Sequence, residues 1–233
     1  MPAPEPILQP AAPPRLLIWL RLARAAALAV LLVAAGLYSY RVFFPPAAPA
    51  PSADPAAESA PPDHGTPLDP PRELSDFSFT SQTGAPLGLR DLRGSYALLF
   101  FGYTHCPDVC PTTLADFVLV KRQLGTLADQ VRFVFISVDG DRDTPAVLAR
   151  FMNTFDPSFI GLRGDDATLA RIGKEYGLYY KKEQVAGTSE PYLVTHSTSA
   201  YLLDRDNRMR MLYGFGTPPK VIADDIRSLL TSN

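Results

Sequence analysis

The chain has 233 residues, and its 22 Lys and Arg against 24 Asp and Glu give a formal net charge of −2. With this balance and no basic stripe, the sequence lacks the electrostatic footprint of a nucleic-acid-binding protein, and that class is excluded. The 24 prolines and the apolar residues are unevenly distributed. Their distribution predicts an N-terminal apolar segment, a proline-rich linker and one folded domain.

The apolar segment at residues 25–44 is predicted to be a transmembrane anchor. Residues 25–40 carry no charge, and Arg41 is the first charged residue after them. If the Arg41 side chain extends toward the headgroups, the helix continues to residue 44. At ~1.5 Å per residue this length spans the ~30 Å hydrocarbon core of a bilayer.

The positive charges around this segment predict its orientation. Arg15, Arg21 and Arg24 precede it, and only Arg41 follows closely. Because positive residues favour the cytoplasmic side, residues 1–24 are expected to be cytoplasmic. The rest of the chain is then expected on the extracytoplasmic side of the cell membrane, in a single-pass arrangement.

The segment after the anchor, residues 45–72, is rich in Pro, Ala and Ser and is predicted to be an extended linker. The folded domain is therefore expected to cover residues 73–233. A cleaved signal peptide is the alternative to an anchor, because residues 48–50 (Ala-Pro-Ala) resemble a processing site. Pro51 directly after them argues against cleavage.

Within the folded domain, buried-strand patterns alternate with helical patterns. A short strand at residues 77–79 begins a predicted hairpin that leads toward Leu87. Further strands are predicted at residues 96–101, 131–138, 159–162, 199–203 and 209–213, and helices at residues 111–124, from Pro145 onward, and at 166–176 and 218–230. This order predicts a thioredoxin-like α/β fold, with a central mixed sheet flanked by helices.

Two cysteines, Cys106 and Cys110, follow the first central strand in the motif GYTHCPDVCP at residues 102–111. Ligand sites favour the carboxyl ends of strands, and a helix N-terminus favours the thiolate. An i,i+4 pair in a helix places its β carbons ~5–6 Å apart, beyond the ~3.5–4.5 Å of a disulfide. The spacing therefore favours metal binding, with a stabilising disulfide as the alternative.

A third ligand is needed to complete a metal site. His105 is adjacent to Cys106 and is expected to point elsewhere, whereas His196 precedes a late strand that this topology returns beside the first one. A lone histidine is more often an ordinary hydrogen-bonded residue, so spacing alone leaves its role open. Two thiolates and one imidazole suit Cu(I) and can also hold Cu(II), while structural zinc normally has four closed ligands.

Three separated motifs, at residues 103–111, 137–145 and 194–197, resemble the SCO/SenC family in content and order. The resemblance implies a thioredoxin-like fold, one copper ion bound by Cys106, Cys110 and His196, and a role in assembling the dinuclear copper site of cytochrome c oxidase. It implies two partners, the copper-bearing subunit of the oxidase and a copper donor protein.

The same resemblance implies that Asp139 supports the site, either as an outer-shell group or as a weak ligand. Two residues depart from the family pattern. Gly140 stands where the family usually has proline, and Thr195 stands where it usually has aspartate before the histidine. The second departure is expected to weaken the orientation of His196.

Two functions follow from these residues and remain open at this stage. The first is a copper metallochaperone, which is not an enzyme in the ordinary sense. The alternative is a thiol-disulfide oxidoreductase that uses Cys106 and Cys110 as a redox-active dithiol and reduces the cysteines of a copper-receiving partner. A peroxidase on a related scaffold is a third reading, with less support.

Overall fold

The computed structural model describes residues 65–184 and 191–232, together with residues 31 and 34–37. The chain divides into two compact units, Met1–Glu58 and Ser59–Asn233. Most of the predicted anchor, the predicted cytoplasmic segment 1–24 and the linker up to residue 64 lie outside the described residues. Among the residues that the structure does describe, no helix has both the length and the apolar character that crossing a membrane requires.

The second unit contains the strands and helices of the folded domain. The strands are β1 (Thr66–Arg72), β2 (Ser78–Ser81), β3 (Pro86–Gly88), β4 (Tyr96–Gly102), β5 (Val131–Ser137), β6 (Ile160–Arg163), β7 (Tyr180–Glu183), β8 (Leu193–His196), β9 (Ala200–Leu203) and β10 (Met209–Tyr213). The helices are α1 (Val109–Leu124), α2 (Pro145–Phe155), α3 (Asp166–Tyr176) and α4 (Pro219–Thr231), with 3-10 turns at Leu89–Leu92 and Gly125–Gln130.

Eight of these strands form one mixed sheet in the order β1-β10-β9-β4-β5-β6-β2-β3 within the described chain. The central strands β4, β5 and β6 are parallel, and β9 pairs antiparallel with β4. Every residue of β4 is buried, as expected for a strand covered on both faces. The predicted thioredoxin-like α/β fold, with a central mixed sheet flanked by helices, is confirmed.

Aromatic side chains pack the helices onto the two faces of the sheet. On one face, Phe117 of α1 lies 6.0 Å from Phe133, and Phe151 of α2 lies 5.7 Å from Phe135, between ring centroids. On the other face, Tyr176 of α3 contacts Phe101 edge to face at 5.1 Å. Helices therefore cover both faces of the central sheet, which agrees with the burial of every residue of β4.

Local signals in the sequence mark the starts of two helices. The hydroxyl of Thr144 accepts a hydrogen bond from the backbone N–H of Val147 at 3.3 Å, and Pro145 is the first residue of α2. The carboxylate of Asp165 caps α3 by accepting from the N–H of Thr168 at 2.9 Å. Side-chain acceptors at these positions satisfy amides that lack a partner within the helix.

Three strands were not predicted. β1 lies within the segment predicted as a linker, but it pairs antiparallel with β10 at one edge of the sheet. Its three prolines are compatible with an edge strand, where one side makes no ladder hydrogen bonds. β7 and β8 form a separate two-stranded sheet; each strand has only four residues, and β7 is mostly polar.

Candidate metal centre

Both cysteines lie where the end of β4 meets the start of α1. Cys106 is half-buried in the connecting turn, Cys110 is fully buried in the first turn of α1, and both are free thiols. Gly102 makes room for the buried sulfur, because a Cβ at that position would lie 2.7 Å from Sγ of Cys110 and 2.8 Å from the ring of Phe135. The predicted placement of the two thiols at this edge of the sheet is confirmed.

His196 ends β8 and faces the same point. Its Nε2 lies 3.4 Å from Sγ of Cys110, and its Nδ1 lies 2.8 Å from the carbonyl oxygen of Ser197. Because a carbonyl can only accept a hydrogen bond, Nδ1 carries a proton, and Nε2 is the ring nitrogen that faces the sulfurs. The imidazole can therefore bind a metal through Nε2.

Two aromatic rings fix the plane of this imidazole. The ring of Phe100 lies 6.0 Å from it at an interplanar angle of 69°, and the ring of Tyr103 lies 5.7 Å from it at 90°. Edge-to-face contacts of this kind stabilise a defined ring orientation. His196 is therefore held by packing as well as by its bond to Ser197.

The three candidate ligand atoms form one group. The two sulfurs and the imidazole nitrogen all lie within 4.8 Å of one another. A three-coordinate metal with bonds of ~2.3 Å to sulfur and ~2.0 Å to nitrogen separates its ligands by roughly 3.5–4 Å. The donor set thus fits a single soft metal ion with only small side-chain adjustments.

The two thiols are electrostatically distinct. A hydrogen bond from the Cys110 thiol lowers the pKa of Cys106 well below its usual range against the opposing effect of burial, and the His196 imidazole and the backbone N–H groups of Asp108 and Cys110 add to this lowering. Burial raises the pKa of Cys110 above its ordinary value, and the adjacent Cys106 thiolate raises it further. In the metal-free protein, Cys106 is therefore the thiolate and Cys110 the thiol.

Asp139 lies outside this group of three ligand atoms. It is fully buried, and its carboxylate accepts hydrogen bonds from Nε of Arg142 at 2.6 Å and from the hydroxyl of Tyr192 at 2.7 Å. Both carboxylate oxygens thus have partners on the protein. The predicted supporting role of Asp139 stays a prediction, and the contacts place it in a layer behind the ligands.

A second buried acid, Asp143, was not predicted as part of the site. Its carboxylate accepts hydrogen bonds from the backbone N–H of Thr104 at 3.0 Å, from the Thr104 hydroxyl at 2.6 Å, and from the hydroxyl of Ser137. Asp143 thereby holds the turn that carries Cys106. In the sequence, Asp143 is one of three acids at alternate positions after β5, with Asp139 and Asp141. This pattern does not distinguish it from Asp141, which is exposed.

His105 and Thr195 point away from the sulfurs. Nδ1 of His105 lies 3.1 Å from the Thr104 hydroxyl and 3.6 Å from Asp143, which agrees with the expectation that it points elsewhere. The hydroxyl of Thr195 donates to Glu183 at 3.0 Å. Because neighbouring residues of a strand face opposite sides, the Thr195 side chain points away from the His196 ring. This geometry does not support the expectation that Thr195 disturbs the orientation of His196.

The fold and this site together define a class of protein. It is a thioredoxin-like α/β domain in which two thiols and one imidazole converge at the carboxyl end of the central strand. Residues 66–231 match the SCO1/SenC family. The chain belongs to this family, which confirms the resemblance drawn from its motifs.

Individual relatives agree with this assignment. The mouse protein named SCO2 homolog, mitochondrial, is 37% identical over 154 residues, which are 65% of this chain and 60% of the mouse protein. The chain thus spans about 60% of the length of that relative. A structure of Bradyrhizobium japonicum ScoI with copper bound is 39% identical with a TM-score of 0.60, covering 66% of this chain and 98% of ScoI.

A third comparison is with BsSco, a member of the Sco family of cytochrome c oxidase assembly proteins in which a disulfide switch was identified. It is 25% identical with a TM-score of 0.57, covering 72% of this chain and 99% of the BsSco chain.

Proposed function

We propose that the protein is a copper metallochaperone that binds one copper ion through Cys106, Cys110 and His196. The observation that carries the proposal is the group of three ligand atoms within 4.8 Å of one another. Two thiolates and an imidazole suit Cu(I), which is a soft ion and accepts three ligands, and the same set can hold Cu(II). A bound cation favours the thiolate form of Cys110 despite its burial.

In this proposal, the bound copper ion is passed on to another protein. Cys106 is half-buried, whereas Cys110 is fully buried. Copper bound between them is reachable from the side of Cys106, where the ligand of a partner can replace one thiolate at a time. ScoI of B. japonicum is a relative with copper bound, and BsSco belongs to a family of cytochrome c oxidase assembly proteins. Both relatives support this role.

The partners proposed from these relatives are the copper-bearing subunit of a cytochrome c oxidase and a donor protein that loads the site. We further propose that residues 25–44 anchor the chain in the cell membrane, with the amino terminus in the cytoplasm and the domain on the extracytoplasmic side. The charge distribution of the sequence supports this orientation. Accessibility of Cys106 to a membrane-impermeant maleimide in intact cells tests it, and labelling only after lysis contradicts it.

An anaerobic Cu(I) titration of the full-length chain against a competing chelator tests copper binding. The wild-type protein is expected to bind one equivalent tightly, and Cys106→Ser, Cys110→Ser and His196→Ala are each expected to lose tight binding. His105→Ala is the matched control, because His105 is adjacent to Cys106 but faces Thr104. Absence of tight binding in the reduced wild-type protein, or an equal loss in the control, overturns the proposal.

A second candidate function is thiol-disulfide exchange with the cysteines of a copper-receiving partner. The observation in its favour is the pairing of a half-buried Cys106 with lowered pKa and a buried Cys110, because an attacking thiolate and a resolving thiol are what the reaction uses. Its signature is stoichiometric reduction of a disulfide-bonded partner peptide in the absence of copper. If the copper titration shows no binding and the partner peptide is reduced, thiol-disulfide exchange becomes the favoured function.

A further inference from the structure

The three candidate ligands stand on different parts of the fold. Cys106 and Cys110 follow β4, the central strand of the large sheet, and are fixed by its pairing with β5 and β9. His196 ends β8, which pairs only with β7 in a separate two-stranded sheet among the described residues. The distance from Nε2 to the sulfurs therefore depends on whatever holds this hairpin, defined as β7 and β8, against the domain.

Arg142, in the loop after β5, contacts the residue that leads into β8, beside the ion pair that Lys182 of β7 makes with Asp141 of the same loop. Nη1 of Arg142 donates to the carbonyl oxygen of Tyr192 at 3.1 Å, and the guanidinium carbon lies 3.8 Å from the centroid of the Tyr192 ring. Tyr192 immediately precedes β8. Arg142 thus both bonds the backbone and stacks on the side chain at the start of the strand that ends in His196.

The arginine is itself held by a buried charge. Its Nε donates to the carboxylate of Asp139 at 2.6 Å, and the same carboxylate accepts from the hydroxyl of Tyr192 at 2.7 Å. The Asp139 side chain is 0% exposed and the Arg142 side chain 14% exposed. The planar guanidinium contacts the Asp139 carboxylate, the Tyr192 carbonyl and the Tyr192 ring at the same time. These three contacts leave it little freedom to move.

The same guanidinium faces the ring that packs on the imidazole. Its carbon lies 5.8 Å from the centroid of Tyr103, and that ring meets His196 edge to face at 5.7 Å. Arg142 is therefore linked to His196 by two sets of contacts. One runs through the backbone that leads into β8, and the other runs through the Tyr103 ring. It touches none of the three ligand atoms.

We propose that Arg142 is the positioning residue for His196, holding the hairpin so that Nε2 stays within reach of the two sulfurs. The proposal deepens the proposed function and rests on it for the copper measurement below. Groups behind the ligands of a metal typically change its affinity 10–100-fold when they are removed. Lysine keeps the charge beside Asp139 but can neither stack as a plane nor bond two acceptors in a fork.

A double-mutant cycle on the full-length chain tests the route through His196. Cu(I) affinity is measured for Arg142→Lys and Arg142→Ala in the wild-type and in the His196→Ala background. Each is expected to lower the affinity about 10-fold in the wild-type background and less than about 2-fold when His196 is absent. Arg132→Ala, at an exposed position of β5, is the control. An equal loss in both backgrounds, or no loss in the first, overturns the proposal.

A metal-free measurement separates this proposal from the copper proposal. In the reduced wild-type protein, nuclear Overhauser contacts between the rings of Tyr103 and His196 are expected, and Arg142→Lys is expected to lose them while the core resonances of β4 and β5 stay unchanged. If the wild-type chain binds no copper, this comparison still decides the inference. Intact ring contacts in Arg142→Lys overturn it.

Discussion

Nε2 of His196 lies 3.4 Å from Sγ of Cys110, although the two residues are 86 positions apart in the chain. Strand pairing accounts for this approach. β9 begins four residues after His196, and its first residue, Ala200, pairs with Phe100 near the end of β4. The chain that carries the imidazole is therefore delivered to the strand end from which the cysteines emerge.

The difference between the two thiols predicts the pH dependence of alkylation. The lowered pKa of Cys106 keeps it ionised below neutral pH, where a free cysteine with a pKa of ~8.5 is almost entirely protonated. The iodoacetamide rate of Cys106 in the reduced, metal-free protein is therefore expected to stay nearly constant from pH 8 down to about pH 6, whereas a free thiol slows roughly tenfold per pH unit.

Mass spectrometry of each cysteine peptide checks this expectation. Cys110, which is buried and has a raised pKa, is expected to remain unmodified over the same range. Denatured protein is the control, and in it both cysteines should follow the profile of a free thiol. A Cys106 rate that falls tenfold between pH 8 and pH 7 in the folded protein contradicts the assignment of the thiolate.

Asp143 is predicted to be needed for stability as well as for the shape of the turn before α1. Asp143→Ala leaves the backbone N–H and hydroxyl of Thr104, and the hydroxyl of Ser137, without their acceptor. Losing buried hydrogen bonds to a charged group is expected to cost about 3 kcal/mol of unfolding free energy. Urea unfolding measures it, with Asp141→Ala as the exposed control. A loss below about 1 kcal/mol contradicts the prediction.

The sequence was sufficient to predict the sheet core and the position of the two cysteines at the end of β4, because both depend on local patterns. The continuous apolar run of β4 predicts a strand buried on both faces, and the cysteine motif directly follows it. The order of strands brings His196 near the cysteines, whereas its role as a ligand is implied only by the resemblance. The layer behind the ligands could not be predicted, since the bonds of Arg142 and Asp143 join segments that only tertiary packing brings together.

The missed hairpin has a similar physical reason. β7 has the sequence YKKE and is at most half-buried at any position, so it lacks the alternation that signals a strand. The ion pair between Lys182 of β7 and Asp141 joins this strand to the loop after β5, a contact that the sequence does not signal. The expectation that Thr195 affects the orientation of His196 did not take this hairpin into account. In the hairpin, the Thr195 hydroxyl donates a hydrogen bond to Glu183 on the opposite strand.

Thr195 is accordingly predicted to be unimportant for the metal centre. Thr195→Ala removes the hydrogen bond to Glu183 but leaves the bond from Nδ1 of His196 to the Ser197 carbonyl. The Cu(I) affinity is expected to change by less than about 2-fold, and stability by no more than about 0.5 kcal/mol, as for other exposed positions. A chelator competition assay beside His196→Ala checks it. A tenfold loss would mean that Thr195 orients the imidazole after all.

Gly102 is predicted to be required for the position of the buried sulfur. In Gly102→Ala the new methyl group would meet Sγ of Cys110 at 2.7 Å and the Phe135 ring at 2.8 Å, which is closer than carbon and sulfur can approach. Either the sulfur or the ring must move, so Cu(I) affinity is expected to fall at least tenfold. Stability is expected to fall by about 1–3 kcal/mol. Unchanged copper affinity would show that the sulfur moves without cost.

Gly140 provides the last test, because the family usually has proline at this position. A Cβ at Gly140 would overlap the carbonyl oxygen of Gly164, and backbone atoms cannot move aside as a flexible side chain can. Gly140→Ala and Gly140→Pro are both expected to lower the unfolding free energy by about 1–3 kcal/mol. Gly214→Ala is the matched control, since a Cβ there meets no atom within 4 Å. Thermal and urea unfolding measure the difference. If Gly140→Pro were as stable as the wild-type protein, the loop after β5 would have to shift away from Gly164 at little cost.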